Sequence, residues 1–122
     1  PAGRDIHWRV FDVQTPWPTP PHSADLVSLQ FIHTDEQSRR KIWQETVHAT
    51  KPGGTLLIVG HDPADSALGI PRPPAEMCFD ADWARDFLEP QCQEVSVREV
   101  TRTQTRDGVD YEVTDIVVVA TR

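Results

Sequence analysis

Cysteine, methionine and glycine are scarce in this chain: two, one and six in 122 residues. Cys78 and Cys92 are too few for a disulfide scaffold, and neither sits in a metal-ligand spacing. His7, His22 and His48 show no ligand spacing either, so no metal is expected. No apolar run approaches the roughly 20 residues that a membrane span needs, so no membrane partner is expected. The first ten residues are mostly polar and do not read as a secretory signal. Basic charge is also short, with 12 Lys and Arg against 19 Asp and Glu and a net charge of −7. A protein that grips nucleic acid by its backbone needs a basic face, and no aromatic ladder offers stacking for single strands. No nucleic-acid partner is therefore expected. Gly3, Gly53, Gly54, Gly60, Gly69 and Gly108 never form G-x-G after a strand. Apolar residues make up 38%, which is low for a domain that buries its own core. These shortages predict a soluble, acidic, cytoplasmic α/β domain, a single domain over residues 1–122. The chain opens on Pro1 and its sole methionine is Met77, so its start reads either as a trimmed terminus or as a cut.

Proline is plentiful: eleven residues, about twice average usage. Ile6, Trp8 and Val10 alternate with polar residues over 6–13 and predict a short strand. Pro16, Pro18, Pro20 and Pro21 then force a loop that contains Trp17. Residues 24–32 are nearly continuously apolar, the pattern of a strand in a parallel sheet. Thr34 with Gln37 reads as a capping box opening a helix over about 35–49. Ile42, Thr46 and Ala49 form its buried stripe, with Trp43 and Val47 beside it and Arg39, Arg40 and Glu45 on the wet side. Lys51-Pro52-Gly53-Gly54 ends that helix, and Thr55–Gly60 is a second buried strand. A long Pro-rich loop covers residues 61–78, of the kind that is functional or mobile. Asp80 caps a short helix over 81–88. The last thirty residues read as two strands joined at Asp107-Gly108, a hairpin signal that makes the pair antiparallel.

Asp25-Leu26-Val27, the capped helix, Lys51-Pro52-Gly53-Gly54 before Thr55-Leu56-Leu57-Ile58, and the terminal antiparallel pair together resemble the class I S-adenosylmethionine-dependent methyltransferases. The resemblance spans residues 6–122 and rests most on the Lys-Pro-Gly-Gly turn. It implies an α/β fold with a Rossmann-like sheet, mostly parallel, with an antiparallel C-terminal hairpin and without the first two family strands. The Gly-rich loop and the ribose carboxylate of the family are not in this sequence. The chain therefore reads as the C-terminal two-thirds of a methyltransferase, a fragment.

Carried over by resemblance, Asp12 ends the third family strand and accepts from the adenine amino group, and Val13 donates its backbone N–H to the ring. The alternative for Asp12 is a cap on the strand end before the Pro loop. Leu29, Gln30 and Phe31 end the fourth family strand and form the cofactor wall. His33 is either a substrate-facing catalytic group or a helix-terminal residue bonded to Thr34 or Glu36. His61 comes directly after the fifth family strand and is a general base, a substrate-pocket wall or a structural group. Trp17 covers a ligand or simply packs.

The function so implied is methyl transfer from S-adenosylmethionine to a small-molecule acceptor, with this chain alone incomplete and inactive. The alternative is a non-catalytic interaction domain that associates through its sheet edge. Without the central strands, residues 24–32 present an open edge. Three outcomes are expected for it: residues 6–13 dock beside it, two copies pair as a homodimer, or another chain supplies the missing strand. Self-association is favoured.

Overall fold

The computed structural model describes residues 3–122, so the start at Pro1 and Ala2 lies outside the described residues. Strand β1 (Ala24–Gln30) runs parallel to β2 (Thr50–His61), pairing Leu26 with Thr55 and Gln30 with Val59. β3 (Glu94–Arg106) and β4 (Val109–Thr121) form a hairpin in which Arg106 faces Val109. Asp107 and Gly108 supply the two positive φ angles, 52° and 75°, that such a two-residue turn requires. β4 lies antiparallel against β2, pairing Thr55 with Thr121 and His61 with Asp115, which gives the sheet order β1-β2-β4-β3. The two apolar runs expected to lie side by side and point the same way do so, and the mixed α/β sheet has its antiparallel hairpin at the C-terminus.

Helix α1 (Glu36–Ala49) links the parallel pair. Its N-cap is Asp35, whose carboxylate accepts the Ser38 N–H at 2.8 Å, rather than Thr34. A carboxylate here satisfies the open N–H and also complements the helix dipole, which a hydroxyl does less well. Ile42, Trp43, Thr46, Val47 and Ala49 are buried as their spacing requires. Arg39 is buried with them, against expectation. Its guanidinium donates to the Cys78 carbonyl at 3.1 Å and lies 4.4 Å from the centre of the Trp83 ring, so a long apolar stem carries a satisfied head inward. Helix α2 (Ala81–Leu88) starts at Asp80, which accepts from Trp83 N at 2.8 Å.

The run Lys51–Gly54 does not stand outside the strand as a turn: β2 runs through it with a register break. Gly53 takes a φ of 82°, and a Cβ on Gly54 would lie 2.8 Å from Thr50 Cγ2. The core lies between the sheet and the helices, built from Leu29, Ile42, Trp43, Leu56, Ile58, Phe79, Leu88, Ile116 and Val118.

Residues 6–13 form no strand. Trp8 and Val10 are 88% and 106% exposed, and the segment does not sit beside β1. Alternation gives a segment a face, but a strand also needs a neighbour for its backbone groups. Residues 14–17 are instead tied to α1. Gln14 Oε1 accepts from Ser38 Oγ at 3.0 Å, Trp17 N–H donates to Glu45 Oε2 at 3.4 Å, and Trp17 Nε1 donates to the Val13 carbonyl at 2.9 Å. Trp17 is thus a packing residue against the core. The Pro-rich loop is packed down as two short 3-10 turns, Pro63–Leu68 and Ala75–Met77. Asp65 inside it is buried and accepts the Thr114 N–H at 2.7 Å.

Candidate functional site

Where β1 and β2 end together, the chain leaves β1 through Phe31, whose φ is 56°. A positive φ on a bulky residue is a strained conformation. Here the Phe31 N–H still donates to the Val59 carbonyl at 2.8 Å, and the ring turns onto His61 with centroids 4.8 Å apart. His33, two residues on, stacks on the other imidazole at 4.9 Å with only 10° between the planes. Sequence positions 33 and 61 meet because the parallel register brings both strand ends to one edge.

Antiparallel pairing sets Asp115 opposite His61. Asp115 Oδ1 lies 3.6 Å from His61 Nδ1, and Asp115 Oδ2 accepts from Arg102 Nε at 2.8 Å. His33 Nδ1 lies 3.9 Å from Cys78 Sγ. Five buried side-chain polar atoms among the described residues have no hydrogen-bond partner: His33 Nε2, Arg39 Nε, His61 Nδ1, Arg72 Nε and Asp115 Oδ1. Three of the five belong to His33, His61 and Asp115, at this one edge. Orphaned buried polar groups are rare in folded proteins because each costs about 1–3 kcal/mol, so their concentration marks a place built for something other than stability.

Burial holds both imidazoles below the ordinary histidine range. For His33 the second cause is the neighbouring His61, since two stacked rings resist a charge on both. For His61 the second cause is the positive charge of Arg72, opposed by Asp115. The pair is therefore kept neutral near pH 7. Burial also pushes the Cys78 thiol up, so it remains a protonated, weakly polar neighbour of His33.

The residues expected at the cofactor divide. Leu29 is 7% exposed and its side chain packs in the core, so only its backbone reaches the strand end. Gln30 is exposed and bonds Ser28 Oγ at 3.3 Å, and Phe31 forms the rim beside His61. Asp12 closes a turn: its Oδ1 accepts the Gln14 N–H at 2.9 Å and its carbonyl the Thr15 N–H at 3.0 Å. Asp12 thus caps a turn, but the strand whose end it was alternatively expected to cap does not form; its Oδ2 stays outside the turn. Val13 lies against the core, tied through Trp17 to the side of α1. The void behind the strand ends, lined by Leu29, Ile58, Val59 and Phe79, has room for about 10 Å³, at most one water.

Sequence reasoning missed Asp115, Arg102 and Arg72. The signal for Asp115 was a lone carboxylate among apolar residues of the last strand, Val113 to Ala120. Arg102 and Arg72 carry no comparable signal, because only the hairpin and the packed loop bring them to this edge. Among the described residues, no three His, Cys, Asp or Glu side chains are grouped to hold a metal. No helix among them is long and apolar enough to cross a membrane.

No protein-family model matches the chain, and no curated protein matches it. Solved structures do. A SAM-dependent methyltransferase from Methanosarcina mazei aligns over 93% of this chain and 66% of its own, with a TM-score of 0.64 and 18% identity. TehB from Haemophilus influenzae aligns over 93% of this chain and 40% of its own, with a TM-score of 0.67 and 15% identity. The N-methyltransferase NodS from Bradyrhizobium japonicum aligns over 94% and 58%, with a TM-score of 0.60 and 13% identity. The fold is thus that of the class I S-adenosylmethionine-dependent methyltransferases. The chain spans less than two thirds of the length of each of these three structures.

An S-adenosylmethionine molecule would find some groups of suitable chemistry here. The free Asp12 Oδ2 and the exposed rim at Gln30 and Phe31 suit an adenine amino group and a flat ring. The described residues offer no enclosed cavity for the rest of the molecule behind the strand ends.

Proposed function

We propose that this chain serves S-adenosylmethionine-dependent methyl transfer to a small-molecule acceptor, and that its carboxyl sheet edge is the acceptor side of the site. The observation that carries this reading is the set of orphaned polar atoms on His33, His61 and Asp115 at one strand end of a methyltransferase fold. Asp12 and Val13 would hold the adenine, and Gln30, Phe31 and the backbone of Leu29 the rim beside the methionine end. The cofactor, when bound, supplies an electrophilic methyl group. His61 is the base. Its Nδ1 faces Asp115 Oδ1 at 3.6 Å, which favours the proton on Nδ1 and leaves the Nε2 lone pair to take the acceptor's proton. Arg102 fixes the Asp115 carboxylate, and His33, stacked at 4.9 Å, fixes the plane of the His61 ring. His33 serves as a polar wall of the acceptor pocket. The two imidazoles remain neutral because burial opposes charging either one.

The test is a titration of the isotope-labelled chain with S-adenosylhomocysteine, read by calorimetry and amide shifts. With no Gly-rich loop in the sequence, binding is expected to be weak, around 1 mM or weaker. Its amide shifts are expected at Asp12, Val13, Gln30, Phe31, His33 and His61. Shifts confined to other residues would overturn the reading, and low-micromolar affinity would mean that a fuller cofactor site is present than these residues make.

A second reading rests on the outer edge of β1. No strand lies beside it among the described residues, and Leu26 there is 56% exposed. The same chain carries Ile6, Trp8 and Val10 exposed on an alternating segment with no sheet to join. A second copy offers each feature the one it lacks, which favours strand exchange into a homodimer through that edge. Sedimentation at rising concentration is expected to show dimers that Trp8→Asp abolishes; a strict monomer would refute this.

A further inference from the structure

Two arginines reach the carboxyl edge of a chain whose net charge is −7. Arg102 and Gln104 alternate along β3 and so share a face, about 7 Å apart. Arg102 is engaged by Asp115 at 2.8 Å. Gln104 is engaged by Arg72, whose Nη2 donates to its Oε1 at 2.6 Å. Arg72 differs from Arg102 in two respects. No carboxylate pairs with it among the described residues, although Asp62, Asp65 and Asp115 all lie on the elements around it. Its Nε is buried without any partner. A guanidinium carries five donors in a planar fork that matches an oxyanion, and leaving it half-buried with a neutral amide as its one partner is costly unless a ligand completes it. Gln104 lies two residues along β3 from Arg102, which bonds Asp115 opposite His61, and, after burial, the positive charge of Arg72 is among the causes that lower the His61 pKa, so the unpaired cation lies near the proposed base.

We propose that Arg72 is the specificity residue of this edge and selects a small acceptor bearing an oxyanion, a carboxylate or a phosphate, held beside His61 and the Phe31 ring. The proposal rests on the methyl-transfer reading only in taking the bound anion to be the methyl acceptor; the anion site stands on its own geometry. Phe31 is 41% exposed and tilted 38° from His61, so a flat apolar body would lie against it while the anionic end reaches Arg72.

Three probes of one shape test this: benzoate, phenyl phosphate and neutral benzamide, titrated into the full chain and read on the Arg72 Nε–H and on the His33 and His61 ring resonances. At least one anion is expected to bind about tenfold tighter than benzamide, and whichever does so names the group. Arg72→Gln is expected to erase that preference, and Arg72→Lys to retain most of it. Equal binding of benzamide and both anions, no binding by any probe, or a folded Arg72→Gln that keeps the preference would each overturn the proposal. Should Arg72→Gln fail to fold, the preference of the unaltered chain decides alone. The two readings separate cleanly. Anion preference without any response to S-adenosylhomocysteine would leave the anion site and remove the methyltransferase reading. The reverse result would keep the methyltransferase and remove Arg72's role.

Discussion

The two ends of β2 are built in opposite ways. At its amino end the polar groups are matched. Arg122 Nη1 donates to the Thr50 carbonyl at 2.6 Å, and the Arg122 N–H donates to the Gly54 carbonyl at 2.9 Å. Gly53 N–H donates to the Arg122 carbonyl at 3.0 Å, and Thr50 Oγ1 donates to the Thr46 carbonyl at 2.8 Å. Lys51 pairs with Asp25. At the carboxyl end, His61 and Asp115 face each other with one atom each unsatisfied, and a phenylalanine holds a strained φ. One strand thus joins an end that secures the fold to an end that leaves polar groups open. Where stability is forgone locally within a well-packed fold, a ligand is the physical reason to look for.

This contrast is sharpened first by core truncation. Leu56→Ala, at a fully buried position in the middle of β2, is expected to destabilise by about 2–5 kcal/mol in urea unfolding. It should leave the response of His61 to probes unchanged. Arg122→Ala is expected to cost about 1–2 kcal/mol, since it strips the side-chain donor from the Thr50 carbonyl. At the other end, Asp115→Asn is expected to change stability by less than about 1 kcal/mol at pH 7, because the amide carbonyl still accepts from the half-exposed Arg102 and the amide NH2 replaces only the unpaired atom facing His61. A large loss there would break the contrast. The smallest effect concerns pH. Both imidazoles are depressed in the folded chain, so the unfolded chain takes up protons first. Their contribution is fully present above about pH 6.5, the ordinary imidazole value, and is lost as pH falls through the lower folded values. The double variant His33→Gln, His61→Gln is expected to flatten the stability curve over that window.

Much of the framework was legible in the sequence because it rests on local chemistry. Asp107-Gly108 dictates its hairpin, Asp80 starts its helix, and the apolar runs over 24–32 and Thr55–Gly60 mark the parallel strand pair, although β1, expected to be buried on both faces, is largely exposed with only Leu29 buried. Residues 6–13 misled because their alternation is a local property, whereas pairing depends on an edge elsewhere. Arg39 misled for a similar reason: its periodicity faces outward until Trp83 and the Cys78 carbonyl arrive from α2 and the loop. In the site, His33 and His61 were legible because both come at the ends of parallel strands. Asp115, Arg102 and Arg72 were not, since their convergence depends on hairpin register and on a loop with no periodicity to read.

The account stands most directly on the state of one imidazole. Nitrogen-15 spectra of the histidine side chains at pH 7 should show His61 neutral, protonated at Nδ1 and bare at Nε2, and should show that preference weakened in Asp115→Asn. A His61 that is charged at pH 7, or that carries its proton on Nε2, would contradict the assignment of this edge as the place where an acceptor gives up its proton.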